Sequence, residues 1–149
     1  MIIREVQLED VDQLIDLYMN HLTKYPPKTP QSTSDWVCML EEIIEKKDYH
    51  LIVGLVDEVI VSSVTLVVIR NLTHNLRPYS VMENVVTHDG HRQKGYASKL
   101  IAYASDIAEN QSCYKTMLMT GSKRESTLNF YRENGFTVGE KTACLKRFR

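Results

Sequence analysis

Two consecutive β-branched segments near the middle of the chain constrain its fold more than any other feature. Tyr49–Val56 and Val59–Ile69 are rich in valine, isoleucine and leucine, and only Asp57 and Glu58 separate them. Runs of this length that are joined by two polar residues are typical of a β-hairpin. We therefore expect a sheet that contains this hairpin.

Helical periodicity precedes the hairpin. From Leu8 to about Tyr25, apolar residues recur at spacings of three and four, and the prolines that follow do not allow the helix to continue. Ser32 and Ser34 are suitable N-caps for a second helix over about 35–46. A short strand over 2–6 is expected before both helices.

The segments after the hairpin alternate between strand and helix patterns. They predict a strand over 79–87, a helix over 98–110, a strand over 114–119 and a helix over 125–134 that ends at Gly135. Two short terminal strands are expected around the turn at 139–140, ending at 146–148. The strands over 79–87 and 114–119 flank one helix, so they should be parallel neighbours.

Length and element order together predict the fold class. The chain has 149 residues, a usual size for one domain, so we expect a single domain over 1–149. The order β-α-α-β-β-β-α-β-α-β-β predicts an α/β (α+β) architecture, in which a mixed central sheet has helices on both faces.

Charge and cysteine usage restrict the classes of function. Lys and Arg number 18 against 19 Asp and Glu, which removes the general electrostatic case for nucleic-acid binding. Apolar runs fall short of the ~20 residues of a membrane-spanning helix, and the N-terminus does not resemble a secretory signal. The three cysteines form no C-x-x-C pair, which predicts reduced thiols in a cytoplasmic protein and no metal site.

The stretch from Met82 to Ser98 has the pattern of an anion-binding turn. A strand runs into a polar loop and then into a helix N-terminus rich in small residues, where unpaired main-chain N–H groups favour phosphate. Gly95 and Ala97 would let a phosphate approach the main chain closely, and Arg92 and Lys94 add positive charge. The loop alone leaves an ordinary helix N-terminus with basic surface residues as the alternative interpretation.

Two motifs carry a family resemblance. The run Arg92-Gln93-Lys94-Gly95-Tyr96-Ala97 resembles the R/Q-x-x-G-x-G/A signature of the GNAT superfamily of acyl-CoA-dependent N-acetyltransferases. The segment from Asn129 to Phe136 is similar to the FYxxxGF motif of that superfamily. The separation of the two motifs and the element order match over nearly the whole chain. The resemblance implies the GNAT acyltransferase fold and acetyl-CoA as co-substrate.

The resemblance also implies which residues bind the cofactor. Main-chain N–H groups over 93–98 are expected to hold the CoA diphosphate, while strand positions Val85 and Thr87 pair with the pantetheine arm. Arg124 stands where the family often has Asn, and helical spacing turns Asn129 away from the cofactor side. The implied cofactor-binding residues are Val85, Val86, Thr87, Arg92, Gln93, Lys94, Gly95, Tyr96, Ala97, Ser98, Thr127 and Tyr131.

Two residues are candidates for proton transfer. Glu83, just before the implied pantetheine contacts, is the candidate base, acting directly or through water. Its alternative roles are a cross-strand charge partner or a residue that only binds substrate. Tyr131 is the candidate acid for the departing thiolate, because a phenol can donate a proton or hydrogen bond. The alternative for Tyr131 is a packed aromatic side chain whose hydroxyl faces water.

The amine acceptor is the least constrained part of the prediction. A small-molecule amine such as an amino sugar, polyamine, amino acid or aminoglycoside is favoured, with the proline-rich loop over 25–34 as its lid. A protein or peptide N-acetyltransferase is the alternative enzyme, and an acyl-CoA-binding sensor without turnover is the alternative outside catalysis. A homodimer is possible, since dimers are common in the superfamily.

Overall fold

The computed structural model describes residues 1–148, which divide into two compact units. The first unit, Met1–Met117, contains most of the secondary structure, and the second begins at Leu118. That the whole chain forms a single domain stays a prediction.

Five strands of the described residues form one sheet in the order in which they occur along the chain. The expected bounds of the hairpin and of the strand over 79–87 are confirmed, whereas the strand expected over 114–119 is shorter than predicted. The strands are β1 (Ile2–Glu5), β2 (Tyr49–Val56), β3 (Val59–Ile69), β4 (Tyr79–Thr87) and β5 (Thr116–Leu118).

Four α-helices accompany the sheet: α1 (Val11–Leu17), α2 (Thr33–Ile44), α3 (Tyr96–Asn110) and α4 (Glu125–Glu133). The first predicted helix is divided, because a 3₁₀ turn (Leu8–Asp10) precedes α1 and a π-helical turn (Tyr18–Leu22) follows it. Ser32 caps α2, since its Oγ accepts from the Asp35 N–H at 3.2 Å. None of the helices in residues 1–148 combines the length and apolar character needed to cross a lipid bilayer.

Strand pairing is antiparallel from β1 to β4. The β2–β3 hairpin turns through Asp57 and Glu58, at φ +50° and +66°, because two left-handed residues match the twist of paired strands. The Tyr114 N–H donates to the Pro78 carbonyl, and the Ser80 N–H donates to the Lys115 carbonyl. A later residue of β4 therefore pairs with a later residue of the β5 segment, so the two strands run parallel, as predicted.

Apolar side chains cover both faces of the sheet in the first unit. One face packs on α1 and α2 through Leu14, Leu17 and Leu40. The other face packs on α3, whose Leu100 and neighbouring apolar residues are buried. The mixed sheet with helices on both faces is therefore confirmed.

The two terminal strands predicted around 139–140 are not present in residues 1–148. Val138, Leu145 and Phe148 are the large apolar residues of this segment, and all three are exposed. Without a buried apolar face the segment gains nothing from sheet pairing that would offset the entropy of ordering it. The prediction is wrong for these strands.

Candidate functional site

Strand β4 contains a bulge at its centre. Its register against β3 shifts between Ser63 and Thr65, so that β4 carries one extra residue there. Asn84 takes the left-handed conformation, at φ +53°, and asparagine tolerates that conformation better than most residues. A bulge removes main-chain groups from the ladder and bends the strand, and bulges often adjoin active sites.

The last residue of β4 points its main chain away from β3. The His88 N–H donates to the Val61 carbonyl on β3 at 2.8 Å. Because successive residues of an antiparallel strand alternate in direction, Thr87 directs its main-chain groups to the other edge of β4. There its carbonyl oxygen accepts from Arg92 Nε at 3.4 Å.

The loop between β4 and α3 contains two residues in the left-handed conformation. Gln93 has φ +61° and Gly95 has φ +74°. Turns that include left-handed residues gather successive main-chain N–H groups on one side and form concavities that bind anions. A Cβ on Gly95 would meet no atom within 4 Å, so its backbone angle rather than crowding requires glycine here.

The N-terminus of α3 offers a row of free donors. Across residues 1–148, the main-chain N–H groups of residues 93–98 have no acceptor. The first main-chain hydrogen bond of the helix is donated by the Lys99 N–H to the Gly95 carbonyl at 3.1 Å. Because α3 is 15 residues long, its dipole adds positive potential at these donors. An anion therefore fits this terminus.

The two basic side chains of the loop differ in their partners. Arg92 is held by an ion pair with Asp89 as well as by the Thr87 carbonyl. Lys94 donates to the Gly90 carbonyl at 3.3 Å and has no carboxylate partner among the described residues. Lys94 therefore supplies more unneutralised positive charge than Arg92, a difference that the sequence did not indicate.

Glu83 lies next to the bulge and opposite Thr65 of β3. Its side chain is half-buried, and it has no ion-pair partner within residues 1–148. The residue across the strand pair is a neutral hydroxyl residue, so the alternative role of Glu83 as a cross-strand charge partner finds no support.

A hydroxyl cluster on the same face was not expected from the sequence. The Tyr18 hydroxyl lies 3.0 Å from Ser63 Oγ. Burial raises the pKa of Tyr18, and its hydrogen bonds to Ser63 and Thr65 offset only part of that effect. The periodicity of Tyr18 with Leu14 and Leu22 favours an apolar core role. The only sequence signal for this cluster is the occurrence of polar residues within the otherwise apolar β3.

Histidines connect the π-helical turn to the loop. The rings of His21 and His88 are 4.0 Å apart between centroids, and the Asp89 N–H donates to His21 Nδ1 at 3.4 Å. His88 Nδ1 in turn accepts from the Gly90 N–H at 3.0 Å. No group of three or more metal-ligating side chains occurs in the part of the chain that the structure describes.

In the second unit, the second motif closes α4. The Phe136 N–H donates to the Tyr131 carbonyl and the Gly135 N–H donates to the Arg132 carbonyl, both at 3.0 Å. Gly135 has φ +87°, so this is a Schellman motif, and the aromatic rings of Tyr131 and Phe136 pack 6.1 Å apart across it. The predicted C-terminal role of Gly135 is confirmed.

The faces of α4 agree with the helical-spacing argument. Thr127 and Tyr131 are half-buried, whereas Asn129 is exposed and accepts from Arg132. The Thr127 hydroxyl also accepts from Ser122 Oγ at 3.1 Å.

Comparisons with known proteins agree with this architecture. A sequence model of the acetyltransferase (GNAT) family matches residues 12–136. A putative acetyltransferase from Agrobacterium tumefaciens is 27% identical, with a TM-score of 0.87 over 99% of this chain and 100% of that chain. Glucosamine-6-phosphate N-acetyltransferase from Arabidopsis thaliana is 19% identical, with a TM-score of 0.85 over 99% and 97%. An aminoglycoside acetyltransferase from an uncultured soil metagenomic sample is 16% identical, with a TM-score of 0.82 over 99% and 95%.

Proposed function

The chain belongs to the acetyltransferase (GNAT) family, and we propose on that basis that it transfers an acetyl group from acetyl-CoA to a primary amine of a small molecule. The amine attacks directly in a ternary complex, with no acylated protein residue. The observation that carries this proposal is the row of free main-chain N–H groups over residues 93–98 at the start of α3.

The residues of this loop fit a coenzyme A diphosphate. The N–H groups of residues 93–98 would donate to its oxygens, and the open space beside Gly95 lets those oxygens approach the main chain. Lys94, and to a lesser degree Arg92, adds positive charge around them. Acetyl-CoA, when bound, supplies the acyl group in the activated form of a thioester.

Strand β4 would hold the pantetheine arm beside the bulge. Val85 and Thr87 are the proposed main-chain partners, in the manner of a strand added to a sheet edge. The outward direction of the Thr87 main chain supports that role. The N–H of Val85 would polarise the thioester carbonyl, as donors in an oxyanion hole do, whereas Val86 pairs with Ser63 and directs its N–H towards β3.

Glu83 is proposed as the base that deprotonates the amine. An alkylamine with a pKa of ~10.4 is neutral in only about 1 part in 2,500 at pH 7, which is equivalent to roughly 4.6 kcal/mol. A half-buried carboxylate without an ion-pair partner in residues 1–148 is a suitable acceptor for this proton, directly or through water.

Tyr131 is proposed as the acid that protonates the departing thiolate. The Schellman motif and the Phe136 ring restrict the orientation of its aromatic side chain. A phenol with a pKa of ~10 remains protonated at neutral pH and can therefore donate to a thiolate. Thr127, one turn earlier on α4, is proposed to contact the cofactor.

A small-molecule acceptor is favoured over a protein. The structural neighbours named above include acetyltransferases of an amino-sugar phosphate and of aminoglycosides, and these are small amines. The exposed loop over 25–34 is the proposed lid of the acceptor pocket. A cytoplasmic location and a homodimeric state complete the proposal.

The test is an amine screen that measures release of the free CoA thiol. Purified protein and acetyl-CoA are incubated with amino sugars, polyamines, amino acids, aminoglycosides and lysine peptides. The proposal predicts that at least one small amine gives a faster release of the CoA thiol than any peptide does. Release only with peptides would indicate a protein acetyltransferase, and acetyl-CoA binding without release across the panel would indicate a sensor.

A further inference from the structure

Three hydroxyl groups converge on the face of the sheet that carries Glu83. The Tyr18 hydroxyl lies 3.0 Å from Ser63 Oγ, and Thr65 also hydrogen-bonds to Tyr18. Ser63 and Thr65 are 0% and 2% exposed, so solvent does not reach them. Buried hydroxyls are costly unless their donors have acceptors. The arrangement therefore needs an explanation beyond packing.

This hydroxyl cluster of Tyr18, Ser63 and Thr65 holds more donors than it uses internally. Three hydroxyls carry three O–H groups, and two hydrogen bonds among them use two. None of the hydrogen bonds described within residues 1–148 gives the third O–H an acceptor. Buried donors in native proteins almost always have a partner, so an acceptor next to the cluster is expected.

Glu83 is the acceptor that the sheet register places beside the cluster. Thr65 has two cross-strand neighbours, Leu51 on β2 and Glu83 on β4. Directly opposite residues of an antiparallel pair share one face of the sheet, with Cβ atoms about 4.5–5.5 Å apart. Leu51 has no polar side-chain atom, so the Glu83 carboxylate is the acceptor that the two cross-strand neighbours of Thr65 offer.

The chain bearing Tyr18 is irregular at this residue. Tyr18 begins the π-helical turn, and its carbonyl accepts from the Thr23 N–H at 2.8 Å, five residues later. Single π-helical turns within α-helices often occur at functional sites, because they redirect individual side chains. From this irregular turn the Tyr18 hydroxyl reaches Ser63 on β3.

We propose that Tyr18 is a positioning residue for Glu83, acting through the hydroxyl of Thr65. The inference rests on the proposed role of Glu83 as base. The cluster donates its remaining O–H towards the Glu83 carboxylate. This hydrogen bond holds the carboxylate in the position from which it deprotonates the amine. Catalytic hydrogen bonds of this kind are often long in the free enzyme and tighten when the substrate binds.

A double-mutant cycle on kcat/KM tests the proposal. Tyr18→Phe should lower kcat/KM by about three- to tenfold, the range that one hydrogen bond contributes. In a Glu83→Gln background, the same substitution should have less than about a twofold effect, because residues that act through one group are not additive. Thr65→Val should behave like Tyr18→Phe, and Thr65→Ser should restore most of the activity.

Ser80→Ala is the matched control. It removes a fully buried hydroxyl from β4 that is 2.7 Å from Thr116 Oγ1, and Ser80 lies three residues before Glu83. It should lower stability while leaving kcat/KM and its response to Glu83→Gln unchanged.

The outcomes separate the inference from the proposed function. If Glu83→Gln alone leaves kcat/KM unchanged, the proposed base is wrong and the inference falls with it. If Glu83→Gln lowers kcat/KM but Tyr18→Phe has the same factor in both backgrounds, Tyr18 is only structural and the inference alone is overturned. Failure of Thr65→Ser to restore activity would also contradict transmission through the Thr65 hydroxyl.

Discussion

Gly54 on β2 packs against Leu100 on α3 so closely that a Cβ on Gly54 would lie 2.8 Å from Leu100 Cδ1. Leu100 is fully buried, so it cannot move into solvent to make room. Because Leu100 lies near the N-terminus of α3, this contact sets the distance between the sheet and the loop that carries the free N–H groups.

Gly54→Ala should therefore destabilise the protein by about 1–3 kcal/mol, the usual effect of overpacking. Leu100→Ala should also destabilise it, by about 2–5 kcal/mol, because it leaves a cavity. In the double variant the new methyl group would occupy part of that cavity. Urea unfolding should then give a loss smaller than the sum of the two single losses, and a strictly additive loss would contradict the contact.

Gly95→Ala should weaken acetyl-CoA binding by at least about tenfold, since a methyl group would stand where the diphosphate approaches the main chain. Its cost in folding stability should be about 1–2 kcal/mol, from the left-handed backbone alone. Gly139→Ala is the matched control, because Gly139 has φ +86° and equally open surroundings. Calorimetric titration should show normal affinity for the control, and equal affinity in both variants would refute the loop assignment.

Tyr131→Phe should lower kcat by about 10²-fold, the lower range for loss of a general acid, while the Kd for acetyl-CoA stays within about twofold. Tyr103→Phe, on the exposed side of α3, is the control and should retain full activity. Steady-state kinetics and binding titration give the two quantities separately. An unchanged kcat would remove Tyr131 from the acid role.

The carboxylate of Asp10 should make stability depend on pH. Burial raises the pKa of Asp10, but two hydrogen bonds from Arg4, at 2.6 and 2.8 Å, and one from the Gln7 N–H outweigh burial and hold it below its usual value. A lowered folded-state pKa means that this stabilisation is complete above the unfolded value of about 3.9 and is lost as pH falls below it.

Asp10→Asn should therefore cost about 1.5–3 kcal/mol at pH 7, the range for a charged hydrogen-bonded group, and less at pH 3. Urea unfolding at both pH values measures the difference. Asp12→Asn, on the exposed side of α1, should show little effect at either pH. A cost for Asp10→Asn that is equal at pH 7 and pH 3 would contradict the ion pair with Arg4.

Local signals in the sequence were sufficient for most of the fold. The bounds of the β2–β3 hairpin and of β4 follow from β-branched runs, and the end of α4 follows from Gly135. The division of the first helix could not be predicted, because a π-helical turn at Tyr18 has no distinct periodicity. The terminal strands were overpredicted, because apolar residues such as Val138 fit a strand pattern without having a surface to pack on.

The candidate site was predictable where it depends on main-chain geometry. A glycine before a helix of small residues already indicates an anion site, and the left-handed Gly95 agrees with it. The Tyr18–Thr65 relation depends on the register of β3 against β4 and on a helix packed over both. Contacts between residues so distant in sequence leave no local pattern.

Coenzyme A binding by the loop before α3 is tested by an amide NMR titration of the ¹⁵N-labelled protein with coenzyme A. The largest downfield shifts should occur at the N–H groups of residues 93–98, as new hydrogen bonds to the diphosphate form. Pantetheine, which lacks the diphosphate, should leave those resonances nearly unchanged. Saturable binding of coenzyme A with the shifts of residues 93–98 no larger than the average would show that these N–H groups do not hold the diphosphate.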